Sequence, residues 1–433
     1  METVDPQTSR RPAAATGLRV GSGGLLLAAI AWFRLDGVTR GTLWAEDGAE
    51  FLVGALDGRW VFAPYQGYAH VVPRAVAQLV VWCVPAPQYA VAFTAAAVVI
   101  SAAVGLLVFG LTAHLGLSPV ARGVLASITV AAPALVTEVA GNLANLHWIF
   151  LWLAPWLFLA RPTSTTRSAL LGVVAFVAAT TEIQVLVFAP LLLVASGDRR
   201  RRPLIAGALI GCSVQLGTFL TIGRDSPPGR PGLGTTIDGF VLQAAGGMWT
   251  SNVAPIARTV PDHGWAAVYL LLVPVAGALT AVFLVAPHLR VASAALAMGA
   301  AIVWAAGFQA NYGAADQQML VSSLRHAVVP SMFLLAVMVM AADCLLARRG
   351  TGAWLLRGVG ATIAAAVVIA GVLSIDGRGD SLRRDGPAWR ATLAHVQDVC
   401  DRRQRSTVDV VFAPGGPAWT VPVPCGRWVP APR

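Results

Sequence analysis

The stretch GTLWAEDGAEFL, residues 41–52, concentrates carboxylates in a chain that otherwise carries few charges. Glu46, Asp47 and Glu50 fall within five positions, whereas only 12% of all residues are charged. A carboxylate can take a proton from a sugar hydroxyl while that hydroxyl attacks an electrophilic carbon. This acidic motif therefore predicts a general base. The alternatives are solvated loop acids, or an ion pair between Asp47 and Arg40 or Arg59.

Arginine and histidine side chains near other helix ends are candidates for holding a lipid phosphate. His70 and Arg74 are about one helical turn apart, so both could meet one phosphate. Arg325 and His326 are adjacent and could grip the same group. Such side chains also stabilise a departing phosphate. The alternatives are that Arg74 snorkels to lipid headgroups and that Arg325 anchors a helix at the interface.

Further polar and aromatic residues could bind sugars. Aromatic rings offer faces for sugar rings, and carboxylate, amide or imidazole groups can bind hydroxyls. Ionisable residues at membrane depth are costly and usually face a bundle interior or a wet cavity. For Glu138 the alternative is solvation at a helix end, and for Asn145 it is helix capping. The candidates are Trp44, Tyr65, Glu138, Asn145, His147 and Glu182.

Composition places these residues in a membrane protein. The chain has 433 residues, of which 56% are hydrophobic, and its mean hydropathy is +0.68. Soluble domains carry about 25% charged residues, roughly twice the fraction here. The net charge of +10 comes from arginines, which lie in short loops between apolar runs, as the positive-inside rule expects. Nucleic acid is therefore not an expected partner, whereas membrane lipids are.

The apolar runs predict an all-α polytopic protein with about 11 transmembrane helices. If residues 71–84 form a helix lying in the interface, all arginine-rich loops face the cytoplasm. The N-terminal tail, 1–17, is then cytoplasmic, and the loop 34–88 and the C-terminal region 375–433 are outside. A further outside turn covers 311–318. The predicted spans, which together form the domain 18–374, are 18–33, 89–113, 120–137, 147–160, 168–180, 183–196, 203–222, 265–287, 291–308, 324–347 and 354–374.

The C-terminal region differs from the rest because it is rich in proline and charge. It contains an amphipathic run around 389–399 and an apolar alternation, VDVVFAP. We expect a small extracytoplasmic appendage. Cys400 and Cys425 both lie in it, and an oxidising compartment would allow them to pair. The chain has no zinc-type cysteine and histidine spacing and no phosphate-binding glycine loop.

The acidic motif, with PYQGYAHVVPR after it, resembles the start of bacterial membrane glycosyltransferases of the GT-C type. The later LRHAVVP is similar to an R-Y-x-x-x-P pattern in many such proteins, with His326 in place of tyrosine. The resemblance implies a GT-C-like layout with interfacial helices in the first outside loop. It also implies a bacterial plasma membrane location and a polyprenyl-phosphate sugar donor. It assigns the catalytic base to Asp47, and neighbouring Glu46 competes for that assignment.

The expected function is transfer of a sugar from that donor to a cell-envelope glycan, lipid or protein acceptor on the outer face. Arg74, Arg325 and His70 would stabilise the departing phosphate, and Glu182 and Asn145 would position sugars. A divalent cation is compatible with this many carboxylates, but no spacing requires one. One rival is a transporter or flippase for a lipid-linked saccharide, which needs a polar route to both faces. The other is a non-catalytic membrane scaffold.

Overall fold

The structure is a computed structural model that describes residues 13–224, 228–312, 319–322, 324–375, 381–402 and 406–427. Most of the predicted N-terminal tail and residues 313–318 of the predicted outside turn lie outside these ranges. The chain is 75% helical, as the apolar runs predict. The remaining regular structure is two short antiparallel hairpins within the described residues.

The first half of the chain contains the acidic motif between two long helices. Its helices are α1 (Ala13–Phe33), α2 (Gly37–Arg40), α3 (Val53–Leu56), α4 (Val71–Cys83), α5 (Tyr89–Leu111), α6 (Pro119–Ala131), α7 (Leu146–Leu159), α8 (Thr165–Thr181) and α9 (Arg202–Ile222). A π-helical turn, Asp47–Leu52, precedes α3, and a 3-10 helix, Ile183–Leu193, follows α8. The hairpin of β1 (Pro64–Tyr65) and β2 (Tyr68–Ala69) precedes α4.

The second half adds further long helices and then the C-terminal unit, which we define as residues 381–402 and 406–427. Its helices are α10 (Leu233–Gly239), α11 (Ala254–Ala257), α12 (Val260–Tyr269), α13 (Val273–Val285), α14 (Arg290–Asn311), α15 (Met319–Ser322), α16 (Val328–Leu346), α17 (Ala353–Leu373) and α18 (Trp389–Asp401). A second π-helical turn, Phe240–Ala245, follows α10. The C-terminal hairpin pairs β3 (Thr407–Val411) with β4 (Thr420–Pro424).

The long apolar helices have the makeup of a polytopic membrane protein. All eleven predicted spans fall on helical structure, although 183–196 is largely 3-10 helix. The count of eleven membrane crossings stays a prediction. Within the described residues, six helical segments are long and apolar enough to cross a membrane: Ala86–Leu115, Arg199–Ile222, Val260–Val285, Pro287–Asn311, Val328–Leu346 and Ala353–Leu373.

Two helices, α7 and α16, occupy the centre of the bundle. In α16 about nine-tenths of the apolar window, 89%, is buried within the protein rather than facing outwards. α7 is apolar on all faces, the pattern of a helix that is surrounded by others. Its Trp152 is fully buried and donates its indole N–H to Thr129 at 2.9 Å, so the polar atom is satisfied.

The α8 and α9 pair packs through glycines. A Cβ added to Gly207 would lie 2.2 Å from the backbone oxygen of Gly172, and one added to Gly211 would lie 2.8 Å from the oxygen of Phe176. Only residues without a side chain allow the two backbones to approach so closely, as in other membrane helix pairs. This contact holds the C-terminal end of α9 beside the turn that carries Glu182.

The two ends of the bundle differ in their charged residues. At one end, which we call the arginine end, Arg201 donates to the carbonyl oxygen of Phe158, and Arg348 donates to that of Val285 at 2.6 Å. These are connections that the charge pattern predicts to be cytoplasmic. α7 begins at the opposite end, the carboxylate end, where the acidic motif lies, and ends at the arginine end. Which end faces the cytoplasm stays a prediction.

The C-terminal unit is docked on the acidic motif instead of standing apart. Ala413 pairs with Trp44 in a parallel bridge, accepting the N–H of Ala45 at 2.5 Å and donating to the oxygen of Leu43 at 3.2 Å. Phe412 lies against Gly48, where an added Cβ would be 2.0 Å from the ring. A disulfide joins Cys400 to Cys425 and closes this unit.

Candidate functional site

A cavity of ≈ 480 Å³ opens at the carboxylate end. It gathers side chains from the acidic motif, the β1–β2 hairpin, the turn before α7, the turn after α8, the ends of α9 and α14, the segment before α16, and the C-terminal unit. Its size suits a small ligand or one sugar unit with its phosphate. The lining includes Glu46, Tyr65, Gln66, Tyr68, His70, Asn145, His147, Trp148, Glu182, Gln184, Phe219, Arg224, Ala306, Ala310, Asn311, Arg325, His326 and Trp419.

Glu46 and Asp47 are placed differently. Glu46 is half-buried and lines the cavity, and among the described residues no hydrogen bond or ion pair engages its carboxylate. Asp47 is 1% exposed and does not line the cavity. Its carboxylate accepts the backbone N–H of Ala144 at 2.7 Å and that of Leu143 at 3.1 Å. Of the two candidate bases, Glu46 is therefore the one that faces the space where a substrate would fit.

Asp47 instead fastens the acidic motif to the turn before α7. Burial raises its pKa to about 7, although the nearby Arg383 and the two backbone amides act to lower it. Arg383 is itself fully buried, and burial lowers its pKa to about 10. Its guanidinium donates to the carbonyl oxygens of Gly141 and Thr42 at 2.7 and 2.8 Å. These contacts connect three separate segments beneath the cavity.

Arg74 and Glu50 form a buried ion pair away from the cavity. The guanidinium of Arg74 donates to Glu50 at 2.5 Å, and the exposed Arg59 contacts the same carboxylate at 3.1 Å. Arg74 also lies over the ring of Phe51 at 5.5 Å and is absent from the cavity lining. This arrangement differs from the expected phosphate contact, since the guanidinium is used to hold α4 against the acidic motif.

His147 and Glu182 form a dyad in the cavity wall. Nδ1 of His147 is hydrogen-bonded to the carboxylate of Glu182. The other oxygen of Glu182 accepts the backbone N–H of Gln184 at 2.7 Å. Glu182 is only 2% exposed, so these contacts account for a carboxylate that would be expensive to bury alone. The dyad brings together two predicted sugar-binding residues that are 35 positions apart.

His70 lies beside this dyad in an aromatic enclosure. The ring of Tyr68 lies 4.2 Å from it, and those of Phe51 and Tyr65 both lie 5.7 Å away. Burial lowers the pKa of His70 well below its usual range, so the ring is neutral. In the described part of the chain, no side chain is hydrogen-bonded to either ring nitrogen. A buried neutral imidazole with this geometry can exchange hydrogen bonds with a ligand but supplies no charge.

Arg325 and His326 both line the cavity. Nε of Arg325 donates to Nε2 of His326 at 3.2 Å and lies 3.9 Å from a carboxylate oxygen of Glu138. Glu138 is 7% exposed and lies behind Arg325 instead of in the lining. It is thus placed to hold the guanidinium, whereas Arg325 presents charge to the cavity.

Arg224 is a second cation in the wall that sequence reasoning missed. It follows the end of α9 and donates to the side-chain oxygen of Asn311, at the end of α14, at 2.9 Å. Its Nε is buried and has no hydrogen-bond partner within the described ranges. The only signal in the sequence was an arginine one residue past the break of an apolar helix at Gly223.

Trp419 is the other missed residue, since it lies in the C-terminal unit and yet lines the cavity. Of the remaining sequence candidates, Tyr65 lines the cavity, and Asn145 does so while its N–H and side chain bond to Asn142 and Glu138. Trp44 is 5% exposed and packs against Ala413 outside the lining.

Metal binding remains a prediction. Over the residues that the structure describes, no group of three or more histidine, cysteine, aspartate or glutamate side chains is arranged to hold a metal ion. The cavity carboxylates Glu46 and Glu182 come from different segments, and the second is already engaged by His147.

Comparison of the chain with protein-family models, with curated proteins and with solved structures finds no match.

Proposed function

We propose that this protein is a membrane glycosyltransferase that moves a sugar from a polyprenyl-phosphate donor to a cell-envelope acceptor. The observation that carries the proposal is the combination of an unengaged carboxylate and two arginines in one aromatic cavity at a helix-bundle end. Glu46 supplies the carboxylate, and Arg224 and Arg325 supply the positive charge. A phosphate leaving group and a hydroxyl nucleophile need these two kinds of group in one site.

Glu46 acts as the general base in this proposal. The acceptor hydroxyl oxygen attacks the anomeric carbon of the donor while its proton passes to the Glu46 carboxylate. The bond from that carbon to the phosphate oxygen breaks, and its electron pair leaves with the phosphate. Asp47 has a positioning role, because its carboxylate is occupied by the amides of Leu143 and Ala144.

Arg224 and Arg325 bind the donor phosphate, and His326 supports Arg325. Arg224 follows α9, Arg325 lies in the segment before α16, and both side chains line the cavity. Guanidinium groups match phosphate oxygens because they offer paired donors. Neutralising the phosphate also makes it a better leaving group.

The surroundings of Arg224 suit a lipid-linked donor. Phe219 of α9 and Ala310 of α14 form an apolar part of the wall next to it. On the outer surface of α9, Leu220 is 73% exposed and Ile222 is 54% exposed, as expected for side chains that face lipid. A polyprenyl chain would remain in the bilayer there while its phosphate reaches the two arginines.

We also propose how the protein is oriented and in which membrane it lies. The carboxylate end faces outside and the arginine end faces the cytoplasm, in a bacterial plasma membrane. The positive-inside rule is counted over short loops, and it favours this orientation because short connections at the arginine end carry the arginine runs 199–202 and 348–349. The acceptor is then an envelope glycan, lipid or protein on the outer face.

A transporter or flippase is less well supported by the geometry. Such a protein needs a polar path through the bundle. Below the cavity, the centre is filled by the buried apolar side chains of α7 and α16, among them Trp152, Trp156 and Phe333. Among the described residues, those that line the cavity lie at the carboxylate end.

The test is donor-dependent transfer by purified protein in nanodiscs. A panel of radiolabelled polyprenyl-phosphate sugars is supplied with an envelope extract, and movement of label from lipid to acceptor is followed. We expect transfer from one donor, and a loss of at least about tenfold in donor kcat/KM for Arg224→Gln, because a charged phosphate contact is removed.

Arg402→Gln is the matched control, since Arg402 is an exposed arginine whose ion-pair partner among the described residues is Asp398 on α18. It should transfer like wild type. Absence of both transfer and binding with every donor of the panel would contradict the proposal. Equal donor kinetics for the two variants would remove Arg224 from the phosphate site.

A further inference from the structure

The C-terminal unit brings an aromatic ring into the cavity from a part of the chain far from the helices. Trp419 ends a short 3-10 turn, Pro417–Trp419, that enters β4, and its side chain is half-buried and lines the cavity. The other tryptophan of this unit, Trp389, is 2% exposed. The partial exposure of Trp419 leaves part of its indole ring open to the cavity.

Trp419 is held in register with the acidic motif. Its carbonyl oxygen accepts the N–H of Phe412 at 2.9 Å, and the next residue, Ala413, pairs through its backbone with Leu43 and Ala45. The ring packs against the cluster formed by Trp44, Ala45 and Ala413. These consecutive backbone contacts therefore fix the position of Trp419 relative to Glu46, which follows Ala45 in the chain.

A second constraint comes from the far side of the same unit. Arg383 anchors its start by bonds to the carbonyl oxygens of Gly141 and Thr42, and the disulfide between Cys400 and Cys425 closes its end. The position of Trp419 thus does not depend on one contact. Rigid support on this scale is what a ligand-contacting side chain requires.

We propose that Trp419 is the stacking platform for the acceptor sugar and that the C-terminal unit is part of the binding site. This rests on the proposed function, in which the acceptor hydroxyl must lie next to Glu46. The donor phosphate is held by Arg224 and Arg325 on the helix side. Trp419 belongs to the wall that carries Glu46, so its ring borders the acceptor position. The C–H face of a pyranose or furanose ring packs on the indole face, which is apolar and poorly hydrated.

The proposal is tested with acceptor kinetics and with direct saccharide binding. The variants are Trp419→Ala, Trp419→Phe and the control Trp82→Ala, because Trp82 is 81% exposed on α4 and outside the cavity. We expect Trp419→Ala to raise the KM for acceptor about tenfold while the KM for donor stays within about twofold. Trp419→Phe should recover part of the loss because it keeps an aromatic face.

Binding is measured separately from transfer by saturation-transfer NMR in nanodiscs. The probes are methyl glycosides of glucose, galactose, mannose and xylose. The platform is supported if saturation transfer is seen with wild type and with Trp82→Ala but is lost in Trp419→Ala. This measurement needs no lipid donor, so its outcome does not depend on the proposed function. Equal acceptor kinetics or equal saturation transfer in Trp419→Ala and Trp82→Ala would overturn the proposal.

Folding of the variant is checked so that a collapsed C-terminal unit is not mistaken for a lost contact. Trp419→Ala should retain the Cys400–Cys425 disulfide on a non-reducing gel and the wild-type melting temperature within a few degrees. If Trp419→Ala alone unfolds the unit, Trp419→Leu decides, because leucine fills part of the same space but has no aromatic face. Normal folding and a selective rise in acceptor KM support stacking, whereas normal folding with wild-type KM for every acceptor overturns it.

Discussion

Glu46 and Asp47 are neighbours in the chain, yet their carboxylates lie in different surroundings. The carboxylate cluster in a charge-poor chain was sufficient to locate the motif. The cluster could not show which of the two carboxylates faces the cavity. The direction of each side chain depends on a π-helical turn, and Asp47 is also bound by two backbone amides that are 96 and 97 positions away. Arg224 and Trp419 were missed for the same reason, since their roles come from distant neighbours.

The buried Asp47 predicts a pH effect on stability. Its pKa is raised to about 7 in the folded protein, against about 3.9 in an unfolded chain. The folded protein therefore holds a proton that the unfolded chain releases. This contribution to stability is full below pH ~4 and is lost as pH rises through ~7. The melting temperature of wild type minus that of Asp47→Asn should decrease between pH 5 and pH 8.

The measurement is thermal unfolding of both proteins in detergent at several pH values. Asp398→Asn serves as the control, because Asp398 is an exposed carboxylate whose partner, Arg402, is also exposed. The melting temperature of wild type minus that of Asp398→Asn should not decrease in the same way between pH 5 and pH 8. A difference between wild type and Asp47→Asn that grows with pH would contradict the assignment of a raised pKa.

At the scale of elements, the apolar runs predicted the helices well because burial in lipid or protein demands long hydrophobic segments. The docking of the C-terminal unit was not predictable in this way. It depends on backbone bonds, such as those of Ala413, and on one buried side chain, Arg383, which leave no periodic pattern. The predicted appendage is consequently a structural part of the carboxylate end.

Arg383 should be the strongest single anchor of the C-terminal unit. Its side chain is 2% exposed and bonds to Gly141, Thr42 and Thr94. Arg383→Met removes the donors and leaves buried carbonyl oxygens unpaired, which should cost about 3–5 kcal/mol. The expected result is a lower melting temperature together with rapid proteolysis within the C-terminal unit.

Arg384→Met is the neighbouring control, since Arg384 is 54% exposed and lies 3.8 Å from Asp36. A surface pair of this kind contributes about 0–1 kcal/mol, so its melting temperature should change little. If both variants were cleaved and melted alike, the buried guanidinium would not be the anchor.

The whole molecule has two chemically different ends. The arginine end holds helix termini through guanidinium contacts, and the carboxylate end contains the cavity. Charge patterning predicted this separation, since arginine loops recur after alternate apolar runs. It could not show how the turns at one end converge into a single cavity, because convergence depends on the packing of all the helices.

Sidedness is testable with an impermeant maleimide on sealed vesicles. In a Cys83→Ser background, which removes the exposed free thiol, Arg200→Cys reports the arginine end and Asp398→Cys reports the carboxylate end. We expect Asp398→Cys to react from the outer face and Arg200→Cys only after the vesicles are opened. Reaction of both from the same face would contradict the two-ended arrangement.

The proposed role of Glu46 as the general base is tested most directly by the Glu46→Gln variant. Its rate of sugar transfer is measured with the donor that wild type uses. We expect a loss of at least about a hundredfold in kcat, with donor binding and melting temperature unchanged, because only the proton acceptor is removed. Asp398→Asn, an exposed carboxylate in the same protein, should transfer at the wild-type rate. Transfer by Glu46→Gln at the wild-type rate would contradict the account and remove Glu46 from the chemistry.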